Sequence, residues 1–124
     1  VRRLVLCNSR AVRTVADRGF LPMKNLLEEV GDMTVSFITL RAGTDLSPAL
    51  VGLPGDLCPC PHWGYMLDGT LGMHTPTGDR EYHAGQAFYW APGHAPFAVT
   101  DCRYVDFSPT HEFAEVIAHI TGAR

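Results

Sequence analysis

Short hydrophobic runs, each ended by glycine, proline or a polar turn, follow one another along most of this chain. Runs of about five to eight residues with such breaks are typical of strands in an all-β sandwich or barrel. We therefore predict strands at Leu4–Cys7, Thr34–Leu40, Trp63–Leu67, Thr70–Thr75, Arg80–His83, Ala87–Trp90, Pro96–Thr100 and Arg103–Phe107. This number of strands is enough to close a barrel or to build a jelly roll.

Two turn sequences predict how the central strands pair. Asp68-Gly69 separates two apolar runs, and both residue types tolerate the positive φ of a tight hairpin turn, so the strands on either side should pair. The next turn, residues 76–79, pairs Thr75 with Arg80. One face of that second hairpin then carries His74, Glu81 and His83, and the other carries Leu71, Met73 and Tyr82. Since a strand alternates its side chains between two faces, we expect the apolar face in the core and the His/Glu face in solvent.

Helices are predicted at two places. Leu21–Val30 has a proline near its start and Gly31 just after its end, which is the usual placement of these residues around a helix. A second helix follows Ser108-Pro109, because serine is a good helix cap and proline is common in the first turn. The apolar residues at helical spacing in this segment are Phe113, Val116, Ile117 and Ile120. We expect this apolar stripe to cover part of the sheet.

Composition and charge narrow the class of protein. The chain has 124 residues and a mass of 13.6 kDa, and we expect residues 1–124 to form one globular domain. A formal net charge of −3 lacks the basic excess that nucleic acid binding requires, so no nucleic acid partner is expected. No apolar run approaches the roughly 20 residues that span a bilayer, so no membrane association is expected either. The four cysteines do not form a secreted disulfide framework, and they favour a reducing, cytoplasmic setting.

The densest group of metal-binding residue types lies at the end of a Gly/Pro-rich segment, Ala42–Pro61, that is expected to be a long loop leading into the next strand. It reads Cys58-Pro-Cys60-Pro-His62. In an extended strand, residues two apart point the same way about 6.5–7 Å apart, so the two thiols and the imidazole would project to one side. Such an array is suited to a metal ion, and the same spacing argues against a Cys58–Cys60 disulfide. The simpler interpretation is a buried thiol pair beside a hydrogen-bonded histidine.

The alternating prolines also indicate where this segment lies. Pro59 and Pro61 remove two amide donors from one edge, which places the segment at a barrel mouth or a sheet margin. Gly64 and Met66 follow on the face of His62, and the glycine leaves room for a small molecule. The segment therefore predicts a pocket of mixed aromatic and polar character. It offers no arginine fork of the kind that would indicate binding of a carboxylate or a phosphate.

Two segments resemble, in order and separation, the conserved motifs of the small cupins. They are residues 62–69 (HWGYMLDG) and residues 85–94 (GQAFYWAPGH). The resemblance covers about Thr34 to Phe107. It implies an all-β fold, a double-stranded β-helix or jelly-roll barrel over about residues 34–107, with a short C-terminal helix over about 109–120. It also implies a pocket in the barrel mouth, frequently a divalent metal, and a homodimer formed by strand exchange or sheet packing.

The metal-binding positions depart from the usual cupin pattern of three histidines and a glutamate. His62 occupies the place of the glutamate, Cys58 falls at or beside the second histidine, and Asp56 lies near the first. The histidine of the second motif would fall at Pro96, and His94 is displaced from it by two residues, which preserves its facing side in a regular strand. The predicted metal ligands are Cys58, Cys60, His62 and His94. Thiolate and imidazole together favour zinc over manganese or dioxygen-activating iron.

These residues support hypotheses from different classes. As an enzyme, the protein would use zinc to hydrolyse, isomerise or cyclise a small metabolite, with His94 as a catalytic acid or base. The alternatives are a non-catalytic metabolite-binding or redox-sensing module, and a metal-dependent dioxygenase, which the ligand types disfavour. Cys60 activated by His62 is a further candidate nucleophile, but spacing alone names no third residue to orient the base.

Overall fold

The computed structural model of this protein describes residues 13–14 and 23–122. In chain order the elements are β1 (Arg13–Thr14), β2 (Met23–Val30), β3 (Met33–Leu40), α1 (Ser47–Leu50), a 3₁₀ turn (Pro54–Asp56), β4 (His62–Asp68), β5 (Thr70–Thr75), β6 (Gly78–His83), β7 (Ala87–Trp90), β8 (Ala95–Ala98), β9 (Cys102–Pro109) and α2 (Thr110–Thr121). The strands form two antiparallel sheets, with the orders β1-β2-β3-β9-β4-β7 and β6-β5-β8. Within these residues, no helix has the length and apolar character needed to cross a bilayer.

The inner face of the larger sheet changes from apolar to polar along its central strands. β3 and β9 pair over their whole lengths, and alternate residues of each are buried. The buried residues toward one end are Ile38, Leu40, Cys102 and Tyr104, and those toward the other are Thr34, Ser36, Asp106 and Ser108. The pairing of Trp63 with Phe107 brings the start of β4 beside this polar end. The fold therefore places His62 next to buried hydrogen-bonding groups.

Two apolar clusters hold the fold together. The first joins the inner faces of both sheets and includes Met66, Leu71, Met73, Phe88, Trp90 and Tyr104. The second lies under α2 and contains Leu50, Cys58, Cys60, Ala95, Phe113, Val116 and Ile120. The predicted apolar stripe of the C-terminal helix therefore packs against the segment that leads into β4. This confirms the predicted all-β class with a short C-terminal helix.

The predicted pairing across Asp68-Gly69 is wrong, although the turn is present. β4 pairs with β7 and β9, whereas β5 pairs with β6 and β8, so the chain changes sheets at Gly69. Gly69 has a φ of 74°, and a Cβ at this position would overlap the carbonyl of Asp101. The close backbone approach explains the glycine, because the chain turns a corner here instead of forming a hairpin.

The predicted helix Leu21–Val30 is also wrong. The structure has strand β2 over Met23–Val30, paired along its length with β3. Gly31, interpreted from sequence as the residue after a helix, is the first residue of a two-residue hairpin turn and has a φ of 60°. Glycine is common both directly after a helix and in a hairpin turn, so Gly31 does not distinguish between them. The pairing of β2 with β3 overrides the local helix propensity.

The hairpin of β5 and β6 keeps the predicted faces in a different register. Thr75 pairs with Gly78 instead of Arg80, and Met73 pairs with Arg80. This is a shift of two residues, and because side chains alternate with a period of two, each residue stays on its predicted face. Leu71 and Met73 are buried, while His83 is exposed and His74 is partly exposed. The prediction of an apolar inner face and a polar outer face is therefore confirmed.

The predicted loop Ala42–Pro61 contains α1 and the 3₁₀ turn, each with a proline in its first positions. The amide of Leu46 donates to the carbonyl of Pro96, which ties the segment to β8. This connection is therefore less irregular than the sequence indicated. The predicted strand Leu4–Cys7 lies outside the described residues.

Candidate metal centre

His62, the first residue of β4, is held by a buried chain of polar groups. Its Nδ1 lies 2.6 Å from Oγ of Ser108, and that hydroxyl donates to Oδ1 of Asp106 at 3.5 Å. Since serine has one hydroxyl proton, Ser108 accepts the hydrogen bond from the Nδ1–H of His62. Nε2 of His62 is therefore left with a free lone pair, which is the form of histidine that binds metal ions.

His94 reaches the same state through a backbone contact. Its Nδ1 lies 2.7 Å from the carbonyl oxygen of Ala91. A carbonyl can only accept, so Nδ1 carries the proton and Nε2 has the lone pair. The backbone positions this residue opposite Cys58, because the amide of Cys58 donates to the carbonyl of His94 and the amide of Gly93 donates to the carbonyl of Cys58, both at 2.8 Å.

Cys58, His62 and His94 bring three metal-binding atoms together. Sγ of Cys58 lies 3.7 Å from Nε2 of His62, and the ligand atoms of all three residues lie within 4.8 Å of one another. A tetrahedral zinc with bonds of about 2.0–2.3 Å holds its donors roughly 3.3–3.8 Å apart. The observed distances between the three donor atoms fit such an ion once the side chains move slightly closer together. All three residues are buried.

Burial sets the protonation states of these residues. It lowers the pKa of His62 to about 3 and also lowers the pKa of His94, so both imidazoles are neutral at pH 7. Burial raises the pKa of the Cys58 thiol to about 11, and the negative charge of Asp106 adds to this effect. The donor set therefore consists of two neutral imidazoles and one thiol, whose proton a bound cation would displace.

Cys60 lies outside this group, although the sequence predicted it as a ligand. The chain bends at Cys60 between the two prolines, so the extended geometry on which that prediction depended is absent. Its Sγ lies 3.5 Å from the carbonyl of Pro61, and the side chain belongs to the apolar cluster with Phe113. Burial raises the pKa of Cys60 to about 12, which also disfavours it as a nucleophile.

The space predicted beside Gly64 is filled. A Cβ at Gly64 would overlap the ring of Phe88 and the carbonyl of Val105. Phe88 stacks on Trp90 at this point, with ring centroids 3.8 Å apart. The glycine therefore makes room for the core and not for a ligand.

A cleft of about 330 Å³ opens at the other side of His94, between β5, β6 and the segment after β7. The side chains that bear on its chemistry are Met73, Arg80, Tyr82, Trp90 and His94. This volume is at the lower end of the range of about 300–1,000 Å³ that is typical of small-molecule sites. His94 is thus shared between the cleft and the group of metal-binding atoms.

Ser108 and Asp106, which orient His62, are not evident from the sequence pattern. Ser108 was interpreted as a helix cap, but it is the next-to-last residue of β9, and α2 starts two residues later at Thr110. A signal for Asp106 was present, because Cys102, Tyr104, Asp106 and Ser108 share the buried face of β9. A carboxylate in such an inward series needs a polar partner. The hydrogen bond between Ser108 and His62 joins residues that are 46 positions apart in the sequence, so spacing alone could not identify this contact.

This architecture was compared with those of known proteins. No family model matches the chain, and no curated protein matches it. An RmlC-like cupin from Shewanella frigidimarina has 15% sequence identity and a TM-score of 0.56, over 75% of this chain and 81% of that chain. A sugar phosphate isomerase of the cupin superfamily from Silicibacter pomeroyi has 16% identity and a TM-score of 0.54, over 71% and 59%. The polyketide cyclase RemF from Streptomyces resistomycificus has 13% identity and a TM-score of 0.53, over 72% and 66%.

This chain therefore has the cupin fold, as the resemblance of its two motifs implied. The comparison with the RmlC-like cupin covers three quarters of this chain. At these identities the likeness concerns the fold, and the chemistry must be argued from the site itself.

Proposed function

We propose that this protein is a zinc-dependent cupin that acts on a small molecule, with the metal held by Cys58, His62 and His94. The observation that carries this proposal is the convergence of one thiol and two imidazole nitrogens, all buried, at the end of a cleft. One sulfur and two nitrogen donors favour zinc over metals that prefer oxygen ligands. The same preference disfavours the dioxygenase hypothesis.

Three protein ligands leave the fourth position of a tetrahedral site open, as in catalytic zinc sites. Bound zinc supplies Lewis acidity, which polarises a carbonyl or lowers the pKa of a coordinated water. Hydrolysis, isomerisation or cyclisation of a small metabolite are the reaction classes that this chemistry supports. Two proteins with the same fold are named as an isomerase and a cyclase, so the fold is compatible with such reactions.

The neighbouring residues of the chain have positioning roles in this proposal. Ser108 and Asp106 hold His62 with Nε2 toward Cys58, and the carbonyl of Ala91 holds His94. The two roles predicted for His94 exclude each other, because Nδ1 is committed to Ala91 and a metal would occupy Nε2. We assign His94 to the metal and leave no catalytic acid or base on its ring.

The alternative function is a non-catalytic module in which Cys58 reports oxidation or holds a purely structural zinc. It is favoured by one observation, that Cys58 and Cys60 are both free and lie two residues apart. The two functions differ in what chelation does. A structural zinc site loses its fold with the metal, whereas an open site on this preformed core should keep a cooperative thermal transition after chelation.

The test of the metal centre is the zinc content of protein purified without added metal. We expect about one zinc per chain in the wild type, most of it lost in Cys58→Ser and retained in Cys102→Ser. Cys102 is a matched control, because it is an equally buried thiol in the other apolar cluster. Absence of zinc from the wild type, or equal loss in both variants with the fold intact by circular dichroism, would contradict the proposal.

We also propose that the protein is a cytoplasmic homodimer. The free thiols of Cys58, Cys60 and Cys102 support a reducing compartment. The dimer is supported by an outer aromatic face on the larger sheet, made of Phe37, Trp63, Tyr65, Tyr89 and Phe107, each 41–53% exposed. At roughly 200 Å² per aromatic side chain, this face offers roughly 450 Å², more than half of the ~800 Å² that each partner contributes to a stable interface. A second copy related by a two-fold axis fits, because it presents the same apolar face.

A further inference from the structure

The cleft beside His94 differs in charge from the rest of the protein. The chain has thirteen acidic and ten basic residues, yet none of the residues that line the cleft is Asp or Glu, and one of them is Arg80. The structure thus places an arginine in the cleft, where the sequence predicted no arginine fork, and Arg80 gives a positive cleft to a protein of formal net charge −3. In a partly enclosed cleft, such a charge attracts anions.

The geometry of β6 explains how the acidic residues are kept out. Arg80 and Tyr82 occupy the inner face of the strand, opposite Met73 and Leu71 of β5. Asp79 and Glu81 point to the other face, where Asp79 lies 2.8 Å from Nδ1 of His74 and Glu81 lies 3.7 Å from Nε2 of His83. The alternation of the strand therefore separates the cation from its nearest carboxylates in sequence.

Arg80 also has no partner of its own among the described residues. Arg103, by contrast, donates from Nε to Asp68 at 2.7 Å. A guanidinium at the rim of a cleft, with no carboxylate in reach, retains its full capacity for a bidentate oxyanion. The aromatic side chains of Tyr82 and Trp90, on the inner faces of β6 and β7, offer an apolar wall beside it.

We propose that this cleft binds a small organic oxyanion, with its carboxylate or phosphate on Arg80 and its apolar body against Tyr82 and Trp90. The far end of the ligand reaches His94. This inference rests on the proposed function, since it names the substrate class of that zinc site. The cleft volume of about 330 Å³ limits the ligand to a metabolite-sized molecule.

The test uses three probes of similar size: benzoate, phenyl phosphate and the neutral benzyl alcohol. Binding to the purified wild-type protein is followed by titration in ¹H–¹⁵N NMR spectra. We expect benzoate or phenyl phosphate to bind with an affinity about ten-fold or more above that of benzyl alcohol, and to lose about that factor in Arg80→Gln. Arg41→Gln is the matched control, because Arg41 is an exposed arginine outside the cleft, and it should leave binding unchanged.

The two anionic probes distinguish the sources of the oxyanion. Tighter binding of benzoate assigns the cleft to organic acids, and tighter binding of phenyl phosphate assigns it to phosphate esters. Equal affinity of the neutral and anionic probes, or an Arg80→Gln variant that binds as the wild type does, overturns the inference.

Cys58→Ser separates this inference from the proposed function. Anion binding that persists in Cys58→Ser and is lost in Arg80→Gln supports the role of Arg80. Anion binding that is lost in Cys58→Ser and retained in Arg80→Gln assigns the anion to the metal and overturns it. Zinc content, measured in the same preparations, tests the metal centre independently of either result.

Discussion

A single hydroxyl group decides which nitrogen of His62 faces Cys58 in the candidate metal centre. Ser108 accepts a hydrogen bond from the Nδ1–H of His62 and donates one to Asp106, and no other polar contact to that imidazole nitrogen is as short. Histidine ligands are commonly oriented through such a contact on the second nitrogen. At the residue scale, the site is therefore a set of three possible metal donors and the hydrogen-bonding groups that orient two of them.

Ser108→Ala should weaken zinc binding without abolishing it. Loss of the acceptor frees the ring to rotate and to adopt the other tautomer, and such changes typically lower metal affinity about 10- to 100-fold. Competition with a chromophoric chelator measures the dissociation constant. Thr34→Val is the control, because it removes a buried hydroxyl that bonds to Thr110 and not to His62. Equal affinities of Ser108→Ala and the wild type would show that His62 needs no such support.

How far the site was predictable from the sequence depended on the local backbone. Cys58 and His62 were identified from their residue types and spacing, and His94 from a turn that the structure joins to Cys58. Cys60 was assigned to the same group because an extended strand was assumed, and the bend between the prolines removes that premise. Asp106 and Ser108 come from a strand distant in sequence, so only the sheet pairing could place them.

At the scale of elements, the larger sheet has two faces of different character. Its inner face is the core and the site, while its outer face carries a continuous group of exposed aromatic rings. Trp63 and Tyr89 are neighbours in this group, with ring centroids 5.2 Å apart. Contiguous exposed apolar area of this kind marks an interaction surface in soluble proteins.

Charge placed on this face should separate the proposed dimer. We expect the wild type to elute with about twice the 13.6 kDa mass of the chain in size-exclusion chromatography with light scattering, and Trp63→Arg/Tyr65→Arg to elute as a monomer. Val99→Arg is the control. Val99 is 43% exposed, but it directly follows β8, a strand of the smaller sheet, and lies outside the aromatic face. A wild-type monomer, or a double variant that stays dimeric, would count against the outer face as the interface.

Element prediction succeeded where the evidence was local. Glycine and proline breaks located the strands of the two sheets, and helical spacing located α2. The errors at β2 and at Asp68-Gly69 have one cause, because in both cases pairing with another strand determined the conformation. For β2 this strand is the adjacent β3, and for β4 it is the distant β9. Glycine marks a change of direction in each case, but it does not reveal which strand lies on the far side.

Across the whole molecule, buried thiols couple folding to alkaline pH. Burial raises the pKa of Cys58 and of Cys102 to about 11 and that of Cys60 to about 12, all from an ordinary value of 9.0. The unfolded chain loses these protons near pH 9, whereas the folded chain retains them. The unfolded state then binds fewer protons than the folded state, so the free energy of unfolding must fall as pH rises from 9 to 11.

Cys102→Ala should make this fall shallower in the metal-free protein. Cys102 alone accounts for up to about 3 kcal/mol between pH 9 and 11, and below pH 9 its contribution does not change with pH. Urea denaturation with a chelator and a reductant, repeated from pH 7.5 to 10.5, measures the slope. A variant with lower stability at every pH but an unchanged slope would contradict the linkage and leave only the loss of packing.

The two tryptophans of this chain occupy opposite surroundings, which gives the protein two separate optical probes. Trp90 is 3% exposed and lies within ring-contact distance of His62 and His94, so its fluorescence will respond to whatever enters the centre or the cleft. Trp63 is 44% exposed on the aromatic face, so its emission wavelength will respond to self-association instead. Replacing either indole by phenylalanine leaves one reporter, and each event can then be followed in unlabelled protein.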